Sequence, residues 1–405
     1  MAIIGIVARL GGELGHGGGV DVYARSLVDA LARHGRRHSY VILCSGEPSR
    51  DWRERDWPGH IRLAGVPSLG TRRGAYRLAR LKWAWQGREA RGIYGAFDAY
   101  WRELPFVHAV RRDGMDAVHF PCTVIPVQWC PVPMLVTFFD MQHEYMPEFF
   151  PESLLASRRK VYEPSVQRAK RVLASSVFTS GTLAEKYGVA QDKVDVVPVG
   201  IEPDYGELAR RREGEARARY GLADQRYAIY PANPWPHKNH TRLLSALRHC
   251  RDCFGEKITL VCTGRLKDQA WSVEMLSVAA GVEEQVRDLG FLSSEDVAGL
   301  VAGAEFMVFP SLFEGFGIPI LEAMACGCPV CAANDTSIPE LLAESGLLFD
   351  PGNMEEMASA MRLLWGDSAL RGRLAAKGRE RARQYEWSRV VPALEEAYAL
   401  TADGG

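Results

Sequence analysis

Three side chains stand out for where they fall. The stretch from Phe309 to Val330 ends an apolar run at Pro310, passes through a loop holding Glu314, Gly315 and Gly317, and enters a helix near Pro319. Glu322 lies about one turn into that helix. Proline is favoured in a first helical turn, and open N–H groups at a helix start, with glycines nearby, bind anions. Carboxylates beside an anion site fit only if they accept hydrogen bonds from ligand hydroxyls. A ligand with phosphate and several hydroxyls, a sugar nucleotide, satisfies both demands. Lys238, in Pro236-His237-Lys238-Asn239, falls between a short strand and a helix, where an ammonium neutralises a diphosphate leaving group. Taken singly, each of these residues reads as a solvated surface side chain; the combination carries the reading.

The elements that must position them alternate in type. Ile3–Ala8 is a continuous apolar run of the kind buried in a parallel sheet. A glycine-rich loop follows, then a helix with Val20, Tyr23, Leu27, Ala30 and Leu31 on one face. Further strands are expected at 41–44, 117–120, 134–138, 171–174 and 194–197. After a stretch rich in Arg and Glu with no strand pattern, a second series begins at 227–230. It continues at 258–262, 286–289, 306–309, 330–332 and 347–349, with helices between. Strand–helix alternation implies parallel sheets with right-handed crossovers. The chain therefore reads as an α/β protein of two Rossmann-like domains facing a cleft, with ligands at the carboxyl ends of the strands. The expected boundaries are 1–200 for the first domain, 201–225 for a linker, 226–385 for the second domain and 386–405 for a C-terminal helix. That helix either packs on the second domain or crosses back to the first.

Composition narrows the classes. The 405 residues carry a formal net charge of −1 and are 47% hydrophobic and 24% charged, an ordinary globular balance with no overall pull toward nucleic acid. No signal peptide is expected, since Met1-Ala2 leads straight into the apolar run at Ile3, and the uncharged stretch 120–139 is broken by Pro121, Pro126, Pro131 and Pro133. Nine cysteines, an odd number, argue for a reducing compartment. The expected location is the cytoplasm or the inner face of its membrane. Cys250 and Cys253 fall on one helix, and Cys326, Cys328 and Cys331 flank a strand; with no Asp-x-Asp pair either, no metal is expected. No dinucleotide fingerprint or Walker lysine follows the first strand.

These motifs resemble the signature of the family-4 retaining glycosyltransferases, of GT-B fold. The family pattern of a Glu, seven residues and a second Glu, with Gly-Phe-Gly after the first, is similar to Glu314, Phe316, Gly317 and Glu322 here. The resemblance implies that Glu314 contacts donor-sugar hydroxyls and that Glu322 holds the ribose. The backbone around Phe316, Gly317 and Ile318, with Leu321 beyond, frames sugar or phosphate. Lys238 matches the phosphate-binding lysine. Relatives carry an Arg before that lysine; this chain has Pro231-Ala232-Asn233 there, so Arg265 is the expected second cation and Asn233 a donor-site neighbour. Phe291 falls where relatives flank the nucleobase, and Thr336, in Asn334–Glu340, near the phosphates. Gly18 and Gly19 match a glycine loop of the first domain. Where relatives carry His-Asp, this chain has Phe139-Asp140; His143, in Gln142-His143-Glu144, is the expected replacement, with Asp140 a further candidate.

By that resemblance the first domain takes the acceptor and the second the donor. The expected reaction moves a hexose from GDP-mannose or a UDP-hexose, with retention and without a metal, to a hydroxyl of a glycan, lipid-linked or natural-product acceptor. The nucleotide sugar is a co-substrate, and no cofactor is expected. The polysaccharide mannosyltransferases are the nearest subgroup by motif. The alternatives are a sugar-nucleotide 2-epimerase of the same fold and a non-catalytic sugar-nucleotide binder. The stretch 71–112, basic and interleaved with Tyr76, Trp83, Trp85, Tyr94, Tyr100 and Trp101, reads either as a solvated helix pair or as a peripheral contact with an anionic membrane.

Overall fold

A computed structural model of the protein describes residues 1–8, 19–45, 50–66, 105–264 and 272–403. Two parallel sheets organise the chain. The first contains β1 (Ile3–Ala8), β2 (Ser39–Ser45), β3 (Ile61–Val66), β4 (Ala117–Phe120), β5 (Met134–Phe138), β6 (Arg171–Ala174) and β7 (Val194–Val196), in the order β3-β2-β1-β4-β5-β6-β7. The second contains β8 (Ala228–Pro231), β9 (Leu260–Thr263), β10 (Val286–Asp288), β11 (Phe306–Phe309), β12 (Val330–Ala333) and β13 (Leu347–Phe349), in the order β10-β9-β8-β11-β12-β13. Every pairing is parallel. The architecture is GT-B: two Rossmann-like units with a cleft between them.

Helices cover both faces of each sheet, so its central strands are buried throughout and read as largely apolar runs. All residues of β4, β5, β9, β11 and β12 are buried. The strand that sequence pattern misses is β3. It sits at the sheet edge, Arg62 and Gly65 are exposed, and only Ile61 and Ala64 are buried, so it lacks the continuous apolar signal.

The helices that matter for the cleft are α1 (Gly19–His34), α2 (Gln142–Tyr145), α3 (Glu152–Arg168), α4 (Val177–Tyr187), α5 (Tyr205–Arg219), α6 (His240–Phe254), α7 (Ser294–Ala302), α8 (Ile318–Cys326), α9 (Ile338–Leu342), α10 (Met354–Gly366), α11 (Ser368–Arg383) and α12 (Trp387–Ala402). The segment read as a linker carries α5, which packs on α7 and α8 of the second unit. The fit is tight: a Cβ at Gly206 would lie 2.1 Å from the Ala325 carbonyl oxygen. The low apolar content of α5 hid it, because only Gly206, Ala209 and Ala216 are buried along its length.

The last helix, α12, lies on the first sheet against α1, β4, β5 and β6. Polar contacts fix it there. Glu395 accepts the backbone N–H groups of Arg36 (2.8 Å) and Arg37 (2.7 Å) and the Tyr40 hydroxyl (2.7 Å). The Tyr398 hydroxyl meets His119 Nδ1 at 2.8 Å, and His119 Nε2 meets Thr137 Oγ1 at 2.8 Å. Burial of His119 pushes its pKa down to about 3, so the ring is neutral in this network.

Candidate functional site

Both sheets reverse their winding at one place, between β1 and β4 and between β8 and β11. Crevices at such switch points, at the carboxyl ends of the strands, are where open α/β sheets bind ligands. In the second unit, the loops after β8 and β11 carry Lys238 and Glu314.

Lys238 closes a short 3-10 turn, Pro236–Lys238, before α6. Its backbone is held from behind: Tyr230 Oη donates to the Lys238 carbonyl at 2.8 Å. Asn239 follows in the left-handed region at φ 60°. Its side-chain amide donates to the carbonyls of Pro310 (3.1 Å) and Pro351 (3.0 Å), tying the ends of three strands together. The Lys238 ammonium is ion-paired with the Glu314 carboxylate, both largely buried.

Glu314 is fixed by the loop after β12. Its N–H donates to Thr336 Oγ1 at 3.2 Å, and its carbonyl accepts Ser337 Oγ at 3.0 Å. Thr336 is also left-handed, at φ 56°, with its N–H on Asp335 Oδ1 at 2.7 Å. Non-glycine residues in this region are strained and persist where surroundings enforce them; two of them border the Lys238–Glu314 pair. Gly317, at φ 107°, is the N-cap of α8 and has no side chain to cap it. Pro319 has no N–H and the Ile320 and Leu321 N–H groups donate to the Gly317 carbonyl, so the Ile318 N–H is the first-turn donor of α8 left for an anion. Ile318 opens the helix, and Leu321 is buried in the core beneath it. The Phe316 ring is buried against Tyr385, centroids 5.7 Å apart, so this residue offers the cleft only its backbone.

Glu322 sits within α8, hydrogen-bonded to Tyr205 at the start of α5. Burial pushes its pKa up to about 7, and the Tyr205 hydroxyl opposes the rise. In its ionised form the carboxylate is a strong acceptor for hydroxyls that donate to it.

The first unit brings Asp140 to the same place. A Cβ at Gly315 would lie 1.7 Å from the Phe139 carbonyl oxygen and 3.0 Å from Asp140 Cβ, so the loops after β5 and β11 touch. Burial raises the Asp140 pKa, the Gln142 N–H on its Oδ1 (3.1 Å) lowers it, and its charge feels Arg158, Glu314 and Lys238. Arg158, on α3, stacks over the Phe150 ring at 4.5 Å. The Phe139 ring packs edge-on against Tyr23 of α1, centroids 4.9 Å apart.

The structure separates His143 from this group. The residue is fully buried, its Nε2 lies 3.1 Å from Tyr187 Oη, and its ring meets Tyr162 edge-on at 4.9 Å. Burial pushes its pKa down to about 4. Its contacts are those of a histidine packed inside the first unit. Phe291 follows β10 and is 63% exposed. Asn233 abuts Gly264, where the ends of β8 and β9 meet. Gly19 is the first residue of α1. Gly18 and Arg265 lie outside the described residues, as does 71–104 of the basic stretch. No described helix is long and apolar enough to cross a membrane.

Sequence reading missed Ser175, Ser176, Thr179 and Glu340, which join the two units. The readable trace was local: Ser176 followed by Thr179 after β6 has the spacing of an N-cap, and Ser176 Oγ does accept the Thr179 N–H at 3.0 Å. Its contact with the other unit left no trace in the sequence.

The family described as "Glycosyltransferase Family 4" matches residues 17–205, and "Glycosyl transferases group 1" matches 213–381. O-antigen chain mannosyltransferase B of Escherichia coli is 30% identical over 269 residues, 66% of this chain and 70% of the relative. The chain belongs to the family-4 glycosyltransferases. MMP alpha-(1->4)-mannosyltransferase of Mycolicibacterium hassiacum is 28% identical to this glycosyltransferase over 423 residues, 96% of this chain and 97% of the relative. Among solved structures, sucrose-phosphate synthase of Thermosynechococcus elongatus superposes with a TM-score of 0.71 over all of both chains at 20% identity. HepE of Anabaena, in complex with UDP and glucose, gives 0.68 at 18% identity, over 99% of this chain and 100% of that one. These two establish the fold of the glycosyltransferase.

Proposed function

We propose that this glycosyltransferase moves a hexose from a nucleoside diphosphate sugar, GDP-mannose or a UDP-hexose, to a hydroxyl of a glycan, lipid-linked or natural-product acceptor. The observation that carries the reading is the Lys238–Glu314 pair at the switch point of the second sheet, faced by Asp140 of the first unit. The donor diphosphate draws Lys238 away from Glu314, and the ammonium neutralises the leaving group. Glu314, set free, accepts hydroxyls of the donor sugar, and Glu322 accepts those of the ribose. The Phe316-Gly317 backbone and the uncapped start of α8 hold sugar or phosphate, with Thr336 beside them. With a lysine and backbone amides in the metal's role, transfer proceeds without one. Anomeric configuration is retained, and the leaving phosphate helps deprotonate the acceptor hydroxyl. The mannosyltransferase names of the Escherichia coli and Mycolicibacterium relatives favour mannose and a carbohydrate acceptor.

Thermal shift against UDP, GDP, ADP and dTDP, with and without magnesium, tests the donor site, because a ligand bound only to the folded state raises stability. Stabilisation by one diphosphate, unchanged by magnesium, is the expected result. NMR of the product anomer then tests retention. No stabilisation by any diphosphate, or an inverted product, overturns the proposal.

A further inference from the structure

The chain passes between the two units twice, and the crossings run side by side. Ile201 N–H donates to the Tyr385 carbonyl at 2.9 Å, and Trp387 N–H donates to the Ile201 carbonyl at 3.0 Å. Trp387 is buried beside them. A paired double crossing of this kind has the form of a hinge, which absorbs rotation in a few residues at element ends.

Away from that hinge the units meet through a second set of polar contacts, at the start of α4. The Gly315 carbonyl, next to Glu314, is approached by Ser175 Oγ (2.9 Å), Ser176 Oγ (2.8 Å) and Thr179 Oγ1 (3.0 Å). An oxygen with two lone pairs cannot take three donors at once; Ser175 and Thr179 have the Phe139 carbonyl as a second acceptor, at 3.2 and 3.4 Å. Beside it, the Glu340 carboxylate of α9 accepts the N–H groups of Val177 (3.0 Å) and Phe178 (3.3 Å). Those are first-turn donors that α4 itself leaves open, and negative charge is favoured at that end of a helix. The backbone of Glu340 is anchored in its own unit by Arg381, whose guanidinium donates to the Glu340 carbonyl at 2.7 Å and the Leu341 carbonyl at 3.0 Å.

We propose that Glu340, with Ser176 and Thr179, is a closure clamp that positions Glu314. It engages only when the units rotate together about the 201/386 hinge. Through the Gly315 carbonyl it sets the Glu314 loop, and with it Lys238, opposite Asp140. These are positioning residues; none touches substrate. Gly315 is what permits the contact. The three atoms nearest to a Cβ there all belong to the first unit: Phe139 O, Phe139 C and Asp140 Cβ. A methyl group at 315 therefore meets the first unit before anything else and obstructs closure. The inference rests on the proposed transfer reaction for its catalytic readout, but not for its structural one.

The test compares wild type with Glu340→Ala, Glu340→Gln and Gly315→Ala. Small-angle scattering in the presence of GDP or UDP gives the radius of gyration, and steady-state kinetics give kcat and KM. The expected result is a larger radius of gyration for Glu340→Ala and Gly315→Ala than for wild type. Their kcat falls tenfold or more, stabilisation by the diphosphate is kept, and Glu340→Gln is intermediate because it retains an acceptor. Wild-type radius and wild-type kcat in both variants overturn the clamp. Should Glu340→Ala fail to fold, Gly315→Ala alone decides, since the atoms nearest its methyl belong to the other unit. If wild type transfers no sugar, the reaction assigned above fails, and the scattering comparison still decides the clamp.

Discussion

Lys238 and Glu314, 76 residues apart in the chain, form an ion pair across the loops that follow β8 and β11. Each is largely buried, so each charge is matched mainly by the other. In the proposed reaction an incoming diphosphate would exchange partners, the ammonium turning to phosphate and the carboxylate to sugar hydroxyls.

Lys238→Ala removes that exchange. Loss of one preorganised charge facing a developing anion costs about 100- to 1000-fold in kcat, and that loss is expected here in a sugar-nucleotide transfer assay. A near-wild-type rate removes Lys238 from the reaction.

Glu322 makes stability depend on pH, and in the proposed donor site it would make nucleotide binding depend on pH in the opposite sense. Its folded pKa, about 7, lies above its ordinary carboxylate value, so between that value and pH 7 the folded state holds more proton than the unfolded one. Stability from this group therefore falls as pH rises through that window, and the cost is complete above pH 7. Glu322→Gln is expected to melt higher than wild type at pH 8, to match it near pH 4, and to bind the diphosphate sugar more weakly. Melting curves at the two pH values, with and without nucleotide, check this.

His143 provides a counter-test. Its Nε2 hydrogen bond to Tyr187 and its edge contact with Tyr162 are internal to the first unit. His143→Phe leaves the Tyr187 hydroxyl buried without that partner, which costs about 1–3 kcal/mol. Urea unfolding is expected to show that loss, while kcat and its pH profile stay within a few-fold of wild type. A collapse of kcat in a folded variant returns His143 to the chemistry.

Tyr398 tests the return of α12 to the first sheet. Tyr398→Phe leaves His119 Nδ1 buried without its hydroxyl partner, again a loss of about 1–3 kcal/mol by equilibrium unfolding. An unchanged unfolding midpoint contradicts the buried network as drawn.

Much of this protein is legible in its sequence because its determinants are local. The strands at 3–8 and 306–309 are unbroken apolar runs and those at 117–120, 134–138 and 171–174 are apolar but for His119, Thr137 and Arg171, the pattern that burial on both faces favours. The helix after Gly317 is announced by Pro319, and Glu314 and Glu322 are tied to it by spacing along one loop and one turn. Lys238 is similarly bound to the end of its strand. The edge strand β3 and the polar helix α5 escaped, because each buries too few side chains to leave a periodic signal.

What only the tertiary structure decided is which distant residues share the cleft. His143 lies three residues from Asp140 in the chain, yet α2 turns its ring into the core while Asp140 meets Gly315. The pairing of Glu340 with Val177 and Phe178, and of the Gly315 carbonyl with Ser176, spans more than a hundred residues. The two crossings at Ile201 and Glu386 bring these partners together. Such contacts depend on the angle between two separately folded sheets. No local pattern of residues encodes that angle.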